Sequence, residues 1–182
     1  MGPGSRKGRK LERRKASGKR EGAGVEGEED DIGNGPRGPP LIAYLDTSSL
    51  VKLYVEEEGS HLVRELLQRA ELVATSVVAY AEARSALARQ RREGGLTAAG
   101  YDRARNDFER DWPRYLTIEV SEAVYRSAGD LAERHHLRGF DSLHLASYVS
   151  LRREGAGQIR FSAFDDALNR AARKEAKERY TS

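Results

Sequence analysis

The chain has 182 residues, 34% of them charged and 38% hydrophobic, and no cysteine. That length accommodates one domain with an appended tail, and the absence of thiols excludes a disulfide framework, a thiolate nucleophile and a Cys-ligated metal. No apolar run approaches the roughly 20 residues of a membrane span, and residues 1–40 lack the apolar core of a secretory signal, so the expectation is a soluble, cytoplasmic protein without a membrane partner.

The formal net charge of +3 is unevenly distributed. Residues 1–40 hold 10 of the 32 Lys and Arg and 7 of the 29 Asp and Glu, which leaves 22 of each sign for residues 41–182. The basic character therefore belongs to the tail, and it says nothing about partners of the rest. The tail runs from a basic block through an acidic block to a Gly/Pro stretch, with too few large apolar residues to build a core, and is expected to be disordered. It reads as a basic arm for RNA phosphates or as an extension without function. The second is favoured, since composition by itself dictates only disorder.

From residue 41 the pattern is that of an alternating α/β domain, 41–182. Short apolar runs at 41–45, 72–75, 115–120 and 158–162 predict buried strands, and helical spacing covers 60–70, 76–93, 97–111, 121–136, 141–153 and 166–178. Long crossovers between strands imply a parallel sheet covered on both faces. The expected architecture is a three-layer α/β/α fold around four to five parallel strands.

Carboxylates punctuate this pattern. Asp46 follows the first strand, where it either caps the helix beginning near Thr47 or faces a ligand beyond the carboxyl edge of the sheet. Glu82 lies two turns into the helix after the second strand, on an otherwise small or apolar stripe. It reads as a half-buried functional acid or as the partner of Arg89, seven residues on. Asp141 opens another helix and invites an N-cap reading. Asp165 and Asp166 follow the last strand, and one of the two is an ordinary cap or solvated residue. Four carboxylates converging without cations repel one another, whereas a hard divalent cation held by a few carboxylates and several waters relieves that repulsion. The pattern thus points to a shared metal ion.

The blocks "YLDTSSLVKLY", "AYAEARSALAR", "RGFDSLHLA" and "FDDALNRAA", in this order and spacing, resemble the PIN-domain nucleases. Within them they are most similar to the VapC-type toxins of bacterial and archaeal toxin–antitoxin pairs. The resemblance spans about residues 41–175 and implies a PIN-like fold with metal-dependent endoribonuclease activity on RNA. It assigns Asp46, Glu82, Asp141 and Asp165 as the catalytic, metal-binding set for Mg²⁺ or Mn²⁺, with Asp165 a further ligand or a holder of water. It gives Thr47 and Ser48 supporting roles, and it implies a homodimer inhibited by a small antitoxin. The family often carries Ser or Thr two positions before its last Asp; here Ala163 stands there, with Ser162 as a substitute, and Asp166 competes with Asp165 for the fourth position.

Lys52, Arg84, Arg89 and Arg138 lie near the acidic blocks in sequence, as phosphate contacts or as solvated helix surface. His135, His136 and His144 form no HExxH arrangement, so zinc chemistry is not expected, and they read as surface or cap residues. An aspartyl-phosphate enzyme would need a second Asp two positions after Asp46, and a receiver-like domain would need an acidic pair there; the chain has neither. The remaining alternative is a PIN-like module that binds RNA or protein without cutting.

Overall fold

A computed structural model describes residues 39–155 and 157–177. The expectations for residues 1–38 lie outside the described residues. The strand β1 (Leu41–Leu45) is followed by a short helix α1 (Thr47–Val51), α2 (Ser60–Arg69), β2 (Leu72–Ser76), α3 (Ala79–Arg92) and α4 (Ala98–Asp111). A 3-10 turn at Trp112–Arg114 leads to β3 (Leu116–Ile118), α5 (Glu122–His135), α6 (Gly139–Arg153), β4 (Gln158–Ser162) and α7 (Asp166–Lys177). The four strands are all parallel, in the order β3-β2-β1-β4.

β1 explains why two helical layers form. Side chains alternate across a strand, and Ile42, Ala43, Tyr44 and Leu45 are all buried. Ile42 and Tyr44 enter one core with Val124, Leu131, Leu145 and Leu168, from α5, α6 and α7. Ala43 and Leu45 enter the other with Leu50, Leu87 and Phe108, from α1, α3 and α4. Burying each large apolar side chain contributes about 2 kcal/mol, so the central strand is held from both faces. The Tyr44 ring stacks on Phe161 at 5.4 Å between centroids, tying β1 to its neighbour β4.

The expected layers and parallel sheet are present, with four strands, and the boundaries shift for local reasons. The third strand is three residues rather than six, because only Leu116–Ile118 pair with β2. The helix expected from residue 76 begins at Ala79, since Ser76 still pairs in the sheet and the Val77 N–H bonds the Ile118 carbonyl at 3.0 Å. Glu82 therefore sits in the first turn of α3 rather than two turns in.

The chain leaves β1 toward β2 and β3 on one side and returns to β4 on the other, so strand order reverses beside β1. Crevices at such reversals are where open α/β sheets bind ligands, and Asp46 and Asp165 follow the two strands that flank it. Among the described residues, no helix is long and apolar enough to cross a membrane.

Candidate active site

Asp46, Glu82, Asp141 and Asp165 all line one cavity of about 790 Å³ at the carboxyl edge of the sheet. Asp166 does not line it, which separates the two adjacent acids. Four different elements deliver the four side chains, so the cluster exists only once the sheet and both helical layers have formed.

Asp46 is buried, and it does cap α1: its Oδ1 accepts the Ser49 N–H at 2.9 Å. The Ser48 hydroxyl lies 2.8 and 2.9 Å from its two oxygens and accepts the Phe164 N–H at 2.8 Å, tying the loop after β4 to the first carboxylate. The Ser162 and Ser49 hydroxyls meet at 2.9 Å, so the serine beside Ala163 braces the same junction. Burial nevertheless pushes the Asp46 carboxyl above its ordinary value, although the hydrogen bonds from Ser49 and Ser48 oppose it. Among the described residues no lysine or arginine pairs with it.

Glu82 behaves oppositely. Burial would raise its pKa, but hydrogen bonds from His144 and Thr47 outweigh that and lower it. The Thr47 hydroxyl donates to Glu82 Oε2 at 2.7 Å. His144 Nε2 stands 3.0 Å from that oxygen and 3.0 Å from Thr47 Oγ1. A carboxylate only accepts, and the Thr47 proton is already engaged, so elimination assigns the imidazole proton to Nε2. Nδ1 faces the Tyr44 hydroxyl at 3.4 Å. Of the two readings of Glu82, the ion pair with Arg89 is not formed among the described residues.

Asp141 lies in the first turn of α6 and is not its cap; Arg138 holds that position. Burial raises its pKa, and the charges of Asp165 and Asp46 push the same way, against a smaller opposing effect of Arg138. Asp165 caps α7, with its Oδ1 accepting the Leu168 N–H at 2.8 Å. Among the described residues no three His, Cys, Asp or Glu side chains close on one point as a ready metal cage.

The basic residues divide. Arg89 and Arg138 line the cavity without an ion pair among the described residues, while Lys52 also lines it but is bound to Glu57 at 2.7 Å. Arg84 is committed elsewhere, to Glu109 and the Tyr80 hydroxyl, and is not a site residue. Reading the histidines as surface or cap residues holds for the exposed His61 and for His136, the left-handed C-cap of α5 with φ of 54°. His144 is buried at the site, and the half-buried His135 packs its side chain against Glu175, where its Nε2 lies 2.6 Å from Oε1. A signal for His144 existed: it follows Asp141 by three residues, which puts both on one face of a helix.

A family model described as PIN domain matches residues 43–174. Two curated relatives from Mycobacterium tuberculosis, Ribonuclease VapC45 and Ribonuclease VapC49, are each 38% identical over 112 residues, covering 62% of this chain and 77% of theirs. Among solved structures, FitAcB from Neisseria gonorrhoeae aligns with a TM-score of 0.51 and 18% identity, covering 72% of this chain and 93% of that one, a likeness of fold.

Proposed function

The chain belongs to the PIN domain family, among its VapC-type ribonucleases, and from that premise we propose that the carboxylate cavity is where it hydrolyses RNA phosphodiester bonds. The supporting observation is uncompensated charge. Four carboxylates share one cavity, two of them with raised pKa, and no Lys or Arg among the described residues pairs with any of the four.

An all-oxygen donor set of this kind fits Mg²⁺ or Mn²⁺, which bind through a few carboxylates and keep several waters. Among the described residues the carboxylates line the cavity without closing into a cage. Asp46, Glu82 and Asp141 are the proposed main ligands, with Asp165 a further ligand or a holder of water. The chemistry such an ion supplies when bound is Lewis acidity toward an attacking water and a departing phosphodiester oxygen.

The chain's own residues supply orientation. Ser48 and the Ser49 N–H fix Asp46, while Thr47 and His144 fix Glu82 in its ionised form. Arg89 and Arg138 are placed to hold RNA phosphates beside the acidic cavity. In biological terms we assign the protein as the toxin of a toxin–antitoxin pair, acting in the cytoplasm as a homodimer and restrained by a small antitoxin protein.

The test compares the purified protein with Asp46→Asn on total cellular RNA, with Mg²⁺, with Mn²⁺ and with EDTA. Discrete cuts that need metal and vanish in the variant are the expected outcome. Folded wild type that cuts no better than the variant under either metal would favour the non-cutting module.

A further inference from the structure

We infer that the ring of Phe140 is a stacking platform for one unpaired base of the RNA, making Phe140 a substrate-positioning residue. The inference rests on the nuclease reading above and deepens it. Among the described residues six large hydrophobics are exposed: Leu62, Leu72, Leu116, Tyr125, Phe140 and Phe164. Only Phe140 lines the carboxylate cavity. It is 56% exposed and lies in the first turn of α6, next in sequence to Asp141.

The fold gains little from an apolar ring held in water beside carboxylates. Phe164, which precedes Asp165, shows what an occupied ring looks like. Lys52 Nζ sits 4.2 Å from its centroid, and the ring packs over Gly59 so closely that an added Cβ there would collide with it. Phe140 has no ring partner and no cation over it among the described residues, and the space beside Gly139 is open.

What surrounds Phe140 decides between an RNA base and a protein side chain. Arg138 and Arg89 line the same cavity without ion pairs among the described residues, so a chain with a phosphate at every residue meets positive charge in the cavity that the ring also lines. Every base has a π-face, so stacking on an aromatic ring tolerates any sequence. A duplex keeps its bases stacked inside the helix and offers none to the ring, whereas a loop or single strand does.

The experiment places Phe140→Trp, Phe140→Leu and Phe140→Ala in the full-length Asp46→Asn protein, so that RNA is bound with Mg²⁺ present but not cut. The probe is a short unpaired oligoribonucleotide of mixed sequence, and the same strand in a duplex. Stacking predicts that Trp binds the unpaired probe at least as well as Phe, while Leu and Ala bind it about 10-fold more weakly. The duplex should show no such ranking. The indole introduced by Phe140→Trp should be quenched by unpaired RNA beyond any change of Trp112, and Tyr125→Ala, outside the cavity, serves as the aromatic control.

Equal affinity across Phe, Leu and Ala would overturn the inference and leave the ring to a protein partner such as an antitoxin segment. Leu matching Phe while Ala falls would overturn it too, since an apolar contact without a π-face would then suffice. Failure of the nuclease reading shows separately, as a wild-type protein that cuts no RNA.

Discussion

Two buried carboxylates, Glu175 and Asp46, are treated in opposite ways. Glu175 on α7 is 1% exposed and is met by His135 at 2.6 Å and Arg134 at 3.2 Å. Arg152 adds donors to the backbone carbonyls of Glu175 and Ala176. Asp46 is 5% exposed and receives only hydroxyl and amide donors, so burial raises its pKa. Burying a carboxylate is costly unless it is paired. Where the cost is offset by cationic partners the acid belongs to the scaffold, and where it is left standing, as at Asp46, it is the acid we propose as a metal ligand. Burial alone does not distinguish the two; the partners do.

Removing the uncompensated acid is predicted to have the largest effect. Asp46→Asn keeps the helix cap and the volume but not the charge, and should reduce metal-dependent RNA cleavage to background, as should EDTA on wild type. A weaker loss is expected from the group that holds Glu82. His144→Leu removes the Nε2–H donor and should lower cleavage by about 10- to 100-fold, as for other residues that orient metal ligands. It should weaken Mn²⁺ binding in calorimetry, and His144→Gln should recover part of both. If Leu and Gln variants behave alike, the imidazole is only filling space.

The scaffold acid should respond in the other currency. His135→Ala leaves Glu175 short of a buried partner and should cost about 2 kcal/mol of stability in denaturant unfolding. Cleavage per folded molecule should not change. A matching loss of activity in folded protein would break the division between the two acids.

How far the sequence could be read tracks the range of the interactions involved. β1 shows as five consecutive apolar residues buried on both faces, and β4 and the amphipathic helices follow from periodicity. β3 is shorter than its composition predicts, because residues 115–120 are strand-like throughout while only three of them find partners. The acids were legible because each stands beside a strand end or a helix start. The spacing of His144 from Asp141 puts it on the same helix face, but its role is not readable locally, because it depends on Thr47 and Glu82, 97 and 62 residues away in the chain. The same holds for His135 and Glu175, 40 residues apart. For Arg84 the distance works the other way, since it is near Glu82 in sequence but is committed to Glu109, 25 residues away.

The smallest predicted effect is on stability, and its sign opposes the effect on activity. The folded-state pKa of Asp46 is raised, chiefly by burial, so the folded protein favours the protonated form more than the unfolded chain does. Below the unfolded pKa both states are protonated and the group costs nothing. As pH rises through the unfolded and then the folded pKa, ionisation costs the folded state progressively more, and the penalty is complete above the folded value. Asp46→Asn never ionises, and Asn caps a helix about as well as Asp. In EDTA the variant should therefore match wild type in melting temperature at low pH and exceed it near neutrality. Adding Mg²⁺ should raise wild type and leave the variant nearly where it was, because a ligand that binds the native state stabilises it by mass action. A variant less stable than wild type in EDTA at neutral pH would mean that Asp46 is a scaffold acid after all, like Glu175.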